Sequence, residues 1–67
     1  MYKNGDKYKV VMEGEERYFR YTHDVAEYVV DKAHFEVDYY DLSNNLKHLN
    51  KHEIIEIRDD CVIERIA

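Results

Sequence analysis

The sequence contains no proline and no tryptophan, and it has only two glycines and one cysteine. A single cysteine excludes an internal disulfide framework, and without a CxxC motif the four histidines do not form a structural zinc site. No apolar run approaches the roughly 18 residues of a membrane span, and the opening segment MYKNGDKYKV lacks the apolar region of a signal peptide. We therefore expect a protein of the reducing cytoplasm that uses no metal and no cofactor.

Length and composition indicate one small folded domain over residues 1–67. The chain is 45% hydrophobic and 37% charged, which is typical of a globular protein and not of a disordered tail. A domain of this size buries only about 60% of its unfolded surface, so folding leaves a small margin of free energy. We expect a partner or dimerisation to add to that margin.

Period-two alternation near the N-terminus predicts a first β-hairpin around the Gly14-Glu15 pair. A two-residue loop there would pair Met12 with Arg17. Val11 and Tyr18 then form an apolar pair on the outer face, which another surface would cover. The opposite face of this hairpin is the predicted core side, and it holds Tyr8, Val10, Met12, Phe19 and Tyr21.

A second hairpin is predicted near the C-terminus, where runs rich in isoleucine and valine flank Asp59-Asp60. A three-residue loop would place Glu53 opposite Arg65. The same register brings four apolar side chains onto one face, namely Ile55, Ile57, Cys61 and Ile63.

Two helices are predicted between the hairpins. The first runs from His23 to Phe35 with Thr22 as its N-cap, and its apolar side carries Val25, Ala26, Val29, Val30 and Ala33. The segment FEVDYYD alternates through Phe35, Val37 and Tyr39, which favours a short extended piece.

The leucines at 42, 46 and 49 have helical spacing and predict a short second helix. Asp41 or Ser43 is available as its N-cap, and Asn50 as a left-handed residue at its C-terminal end. The predicted fold is therefore α+β: two β-hairpins form a four-stranded antiparallel sheet, and one main helix and one short helix pack on one face.

Negative charge is concentrated in the middle third of the chain. Residues 24–41 carry six carboxylates against Lys32 alone, so this segment holds as much negative charge as the net −5 of the whole chain. Along a helix, Asp24, Glu27 and Asp31 rise by steps of about 4.5 and 6 Å, close to the spacing of successive phosphates on a nucleic acid strand. Such a row of carboxylates could occupy a phosphate-binding surface.

A solvated helix face is the plain alternative, because amphipathic helices normally show charge to water. The scarcity of basic neighbours favours a binding surface, since soluble helices usually mix the two signs into stabilising pairs. No contiguous basic patch is present that would neutralise phosphates, so direct binding to nucleic acid is not expected.

Aromatic residues adjoin this acidic segment. Tyr39 and Tyr40 lie between Asp38 and Asp41, and at least one of the two tyrosines is predicted to face outward as an anchor for a partner. The alternative is that one tyrosine covers the edge of the core and the other is merely exposed. The predicted partner-binding set is Asp24, Glu27, Asp31, Glu36, Asp38, Tyr39, Tyr40 and Asp41.

No catalytic motif is present. Cys61 has no histidine or lysine arranged to lower its pKa, and His48 and His52 have no third metal ligand. An enzyme is not expected.

In size, acidity, lack of proline and hairpin-helix-hairpin layout, the chain resembles small acidic bacteriophage host-takeover proteins of the DNA-mimic type, among them inhibitors of the histone-like nucleoid protein HU. The resemblance covers the whole chain in layout and involves no motif, so it transfers no residue role. It implies a homodimer in the host cytoplasm whose two acidic faces join into one negative surface that competes with DNA.

The expected function is that of a non-enzymatic inhibitor that binds a basic nucleic-acid-binding protein and blocks its DNA site. The alternative is a small protein-interaction module, such as an adaptor or an antitoxin-like regulator. Such a module would use a strand edge or the apolar pair of Val11 and Tyr18.

Overall fold

A computed structural model describes residues 5–33 and 35–67 of the chain. Four strands form one antiparallel sheet in the order β2-β1-β4-β3, and two helices lie between the hairpins in sequence. The elements are β1 (Tyr8–Met12), β2 (Glu15–Phe19), α1 (Thr22–Lys32), α2 (Tyr39–Lys47), β3 (Ile54–Arg58) and β4 (Cys61–Arg65). The predicted α+β fold, with its four-stranded antiparallel sheet and two helices, is confirmed.

The first hairpin turns one residue earlier than predicted. Met12 pairs with Glu15 and not with Arg17, so the loop consists of Glu13 and Gly14, whose φ angles are 56° and 79°. Two positive φ angles are typical of the tight turns whose twist matches that of paired strands. Tyr21 consequently lies beyond the end of β2, where it is 53% exposed, and its predicted place in the core is wrong.

The second hairpin turns the predicted side toward the core, and its loop is shorter than predicted. Ile55 pairs with Ile63, and the Arg65 N–H donates to the Glu53 carbonyl at 3.0 Å, as the sequence predicts. Arg58 pairs with Cys61 across a two-residue turn, and a bulge between Glu56 and Arg58 takes up the third residue expected in the loop.

The core joins one face of the sheet to both helices. Its buried side chains are Tyr8, Val10, Met12, Val25, Ala26, Val29, Leu42, Leu46, Cys61 and Ile63. The rings of Phe19 and Tyr28 lie 5.2 Å apart and extend this contact between β2 and α1. The Tyr8 hydroxyl lies 3.0 Å from the Thr22 hydroxyl, so it joins β1 to the start of α1.

The first helix differs from its prediction at both ends. Tyr21 is the N-cap residue and forms no side-chain cap, while the Thr22 hydroxyl bonds to Tyr8 instead. The helix ends at Lys32, before Phe35, and Val30 is 41% exposed although the pattern placed it on the apolar side. The apolar stripe of this short helix is therefore wider than the surface that the core covers.

The second helix begins one turn earlier than Ser43. Asp38 is its N-cap, because one carboxylate oxygen accepts the N–H groups of Tyr40 at 2.9 Å and Asp41 at 3.0 Å. The predicted caps at Asp41 and Ser43 are therefore wrong. The predicted extended piece fails at Tyr39, which is helical, whereas Asp38 before it has an extended backbone.

The second helix ends at Lys47, and its C-cap residue is His48. The left-handed residue that follows this end is His52, with a φ of 73°, in place of the predicted Asn50. Among the described residues, no helix is long and apolar enough to cross a membrane.

Candidate protein-binding surface

The acidic residues meet where the outer side of α1 approaches the segment that leads into α2. An open depression of about 600 Å³ is lined by Glu27, Tyr28, Val30, Asp31 and Tyr39. A second depression is lined by Val30, Glu36, Val37, Asp38, Tyr39 and Tyr40. Val30 and Tyr39 belong to both linings, so the two depressions form one continuous surface.

A third depression extends this surface toward β3. Asp38 and Asp41 contribute to its lining, together with the apolar side chains of Val37, Leu42, Ile55 and Ile57. Seven of the eight predicted binding residues therefore lie along adjoining depressions. We call this set the acidic surface: Glu27, Asp31, Glu36, Asp38, Tyr39, Tyr40 and Asp41.

Asp24, the eighth predicted residue, has a different environment. It is half-buried in the first turn of α1, and its carboxylate lies 3.3 Å from His23 Nε2. A carboxylate in the first turn also stabilises a helix through the positive end of its dipole. The His23 ring stacks against Tyr21 with 5.6 Å between centroids. These local contacts account for a carboxylate at position 24, and no binding partner is needed to explain its presence there.

Most carboxylates of the acidic surface lack a neutralising neighbour. Asp31 forms an exposed ion pair with Lys32 at 3.6 Å, and such pairs contribute little to stability. Glu27, Glu36 and Asp41 form no ion pair with any other residue in the described part of the chain. Their negative charge is consequently available to a basic partner.

The two tyrosines have separate roles in this surface. Because α2 begins at Tyr39, both lie in the first helical turn and not in a loop. Tyr39 packs against the core, whereas Tyr40 is 80% exposed. Their rings meet edge to face, with centroids 5.4 Å apart. The outward tyrosine that the sequence predicts is therefore Tyr40, held in place by Tyr39.

Sequence reasoning missed the apolar floor of the acidic surface, which Val30 and Val37 provide. At about 100° per residue, Val30 lies at the edge of the apolar side of α1, and that edge position is the available signal. Exposed apolar area beside carboxylates suits the long side chains of arginine and lysine, because their stems are apolar and their ends are charged.

The chain's one cysteine, Cys61, is buried. Burial raises the pKa of the Cys61 thiol, and the neighbouring Asp60 raises it further, so the thiol is protonated at neutral pH. No group of three or more metal-binding side chains occurs within residues 5–33 and 35–67. The acidic surface itself offers carboxylates for ion pairing, and tyrosine and valine side chains for aromatic and apolar contact.

Comparison with protein families, with curated proteins and with solved structures finds no match to this chain.

Proposed function

We propose that this chain binds a basic nucleic-acid-binding protein through its acidic surface and thereby blocks the DNA site of that protein. The observation that carries the proposal is the group of unpaired carboxylates, Glu27, Glu36 and Asp41, along depressions that also expose Tyr40. A surface that binds DNA phosphates carries arginine and lysine side chains, and carboxylates can pair with the same groups.

The spacing of the carboxylates supports competition with DNA. Glu27 and Asp31 are four residues apart in α1, which corresponds to a rise of about 6 Å on the same side of the helix. Asp38 and Asp41 continue the negative charge at the start of α2. The partner's cations would therefore meet a series of negative groups in place of phosphates.

The aromatic residues supply the affinity that screened charges lack. Exposed ion pairs weaken beyond a Debye length of about 8 Å at physiological salt, so charge alone gives fast but weak association. The exposed ring of Tyr40 and the apolar side chain of Val30 offer contact area at the same place. Tyrosine is enriched among the residues that dominate binding energy at interfaces.

A competition experiment with the histone-like nucleoid protein HU tests the proposal. Fluorescent duplex DNA is bound to purified HU, the chain is added, and the released DNA is followed by anisotropy at several salt concentrations. We expect displacement that weakens steeply as salt rises. The double variant Glu27→Lys/Asp31→Lys should require an about tenfold higher concentration or more.

The matched control is the double variant Asp59→Lys/Asp60→Lys. It changes the net charge by the same amount, and both residues are exposed in the β3–β4 turn. It should displace DNA nearly as well as the unmodified chain. Absence of displacement at low salt, or equal loss in both double variants, would contradict the proposal. Binding that survives high salt and is lost in Tyr18→Ala would favour the interaction module instead.

A further inference from the structure

The face of the sheet opposite the core carries several apolar side chains that are not fully buried. Val11, Tyr18 and Val62 are half-buried there, and Ile54 is 62% exposed. None of the described strand residues on this face is buried. Side chains alternate between the two faces of a strand, and the buried alternate residues of β1 and β4 all face the helices. We call this second side the open face.

The registers of the three strand pairs place the open-face residues in rows across the sheet. Following the order β2-β1-β4-β3, the first row reads Glu16, Val11, Val62 and Glu56. The next row reads Tyr18, Lys9, Glu64 and Ile54. Each row therefore has an inner pair on β1 and β4 and an outer pair on the edge strands.

These rows are complementary to themselves. A twofold axis parallel to the strands, between β1 and β4, lays β1 of one copy over β4 of the other. Val11 then faces Val62 of the second copy, and Lys9 faces Glu64 of the second copy, with each contact made twice. The same rotation lays Tyr18 over Ile54 of the second copy. A twofold axis across the strands would instead oppose valines to charged residues.

From this complementarity of charge and apolar shape we propose that the open face binds a second copy of the chain, face to face. Four valines lie at the centre of the first row of the interface, and two Lys9–Glu64 pairs lie at the centre of the next row. The outer pair of the first row opposes Glu16 to Glu56 at the rim, where water screens the repulsion. Glu16 is also compensated within its own chain, because it lies 3.5 Å from the Lys9 ammonium and accepts a hydrogen bond from Tyr18.

The area of the open face predicts a weak dimer. Four strands about 4.8 Å apart and five residues long at about 3.3 Å per residue cover roughly 19 by 16 Å. The resulting area of roughly 300 Å² is smaller than the roughly 800 Å² that each partner buries in a standard interface. Association should therefore depend on concentration, with monomer and dimer in exchange.

Charge-reversal variants test the proposal. Their association is measured by sedimentation velocity at protein concentrations from about 10 μM to about 1 mM. The unmodified chain should shift from monomer toward dimer over this range. Lys9→Glu opposes carboxylates to carboxylates in the dimer, and Glu64→Lys opposes ammonium to ammonium groups, so each variant alone should remain monomeric. An equimolar mixture of the two variants pairs opposite charges at both contacts and should dimerise again.

The mixture separates an interface effect from a folding effect. Lys9 and Glu64 are also cross-strand neighbours within one chain, so each reversal costs some stability through like charges. Mixing leaves that internal repulsion unchanged, and restored association therefore reports contact between copies. Lys47→Glu and Glu27→Lys are control reversals at exposed helix positions away from the open face, and both should dimerise like the unmodified chain.

Three results would overturn the proposal: a chain that stays monomeric at every concentration, single reversals that still associate, or a mixture that fails to restore the dimer. Association that persists in both single variants would mean that the copies pair elsewhere, for example along the edge of β3. The proposal does not depend on the proposed function, because none of the acidic-surface residues lies on the open face.

Discussion

At the scale of single residues, one hydroxyl connects three elements of the core. The Tyr8 hydroxyl donates to the Leu46 carbonyl at 3.4 Å and lies 3.0 Å from the Thr22 hydroxyl, which can donate to it in turn. Tyr8 itself is 3% exposed. Buried polar atoms are costly without partners, so this small network favours one arrangement of β1, α1 and α2 over others.

Replacing Tyr8 by phenylalanine tests this network. Tyr8→Phe removes only the hydroxyl and leaves the Leu46 carbonyl and the Thr22 hydroxyl without it. We expect the free energy of unfolding to fall by about 1–2 kcal/mol, measured by urea denaturation. The exposed Tyr40→Phe is the matched control and should change stability by less than about 0.5 kcal/mol. Equal stability of the two variants would show that the buried hydroxyl contributes nothing.

At the scale of elements, sequence periodicity predicted the strands and helices but not all their ends. Alternation of apolar residues assigned the core faces of β1, β3 and β4 correctly, because a period of two fixes the face of a strand. The turn at Glu13-Gly14 was placed one residue too late, since Gly14 alone could occupy either central position of the loop. That shift moved Tyr21 from the core to the surface.

The start of α2 shows why the candidate site was only partly predictable. Asp38, Asp41 and Ser43 are all residues that can cap a helix, and their local sequence does not rank them. Packing against the core selects among them. Tyr39 contacts the core from the first helical turn, and this position requires the helix to begin after a cap at Asp38. The acidic character of the segment was evident from composition, whereas the apolar floor at Val30 required knowledge of which side of α1 the core covers.

Two substitutions at Asp38 separate its role as a cap from its charge. Asp38→Ala removes both and should lower the free energy of unfolding by about 1 kcal/mol, whereas Asp38→Ser keeps a capping oxygen and should stay within about 0.5 kcal/mol of the unmodified chain. Thermal or urea denaturation measures both. Displacement of DNA from HU should weaken equally in the two variants, because each loses one carboxylate of the acidic surface. A weakened displacement only in the alanine variant would assign Asp38 a purely structural role.

At the scale of the whole molecule, the two proposed surfaces are built from different elements. The acidic surface belongs to α1, α2 and the segment between them, and the open face belongs to the four strands. Face-to-face dimerisation would therefore leave the two acidic surfaces separate and outside the interface. The resemblance to DNA mimics implies instead that both acidic faces join, and that arrangement requires a different interface.

The two arrangements make different predictions for a monomeric variant. If the acidic surfaces act separately, Lys9→Glu should displace DNA from HU at the same concentration per chain as the unmodified protein, although it no longer dimerises. Conversely, Glu27→Lys/Asp31→Lys should dimerise normally and lose displacement. Anisotropy and sedimentation on the same samples measure both properties. If Lys9→Glu loses displacement together with dimerisation while urea denaturation shows that it is still folded, the two acidic surfaces do not act separately, because the single reversal alters no residue of the acidic surface.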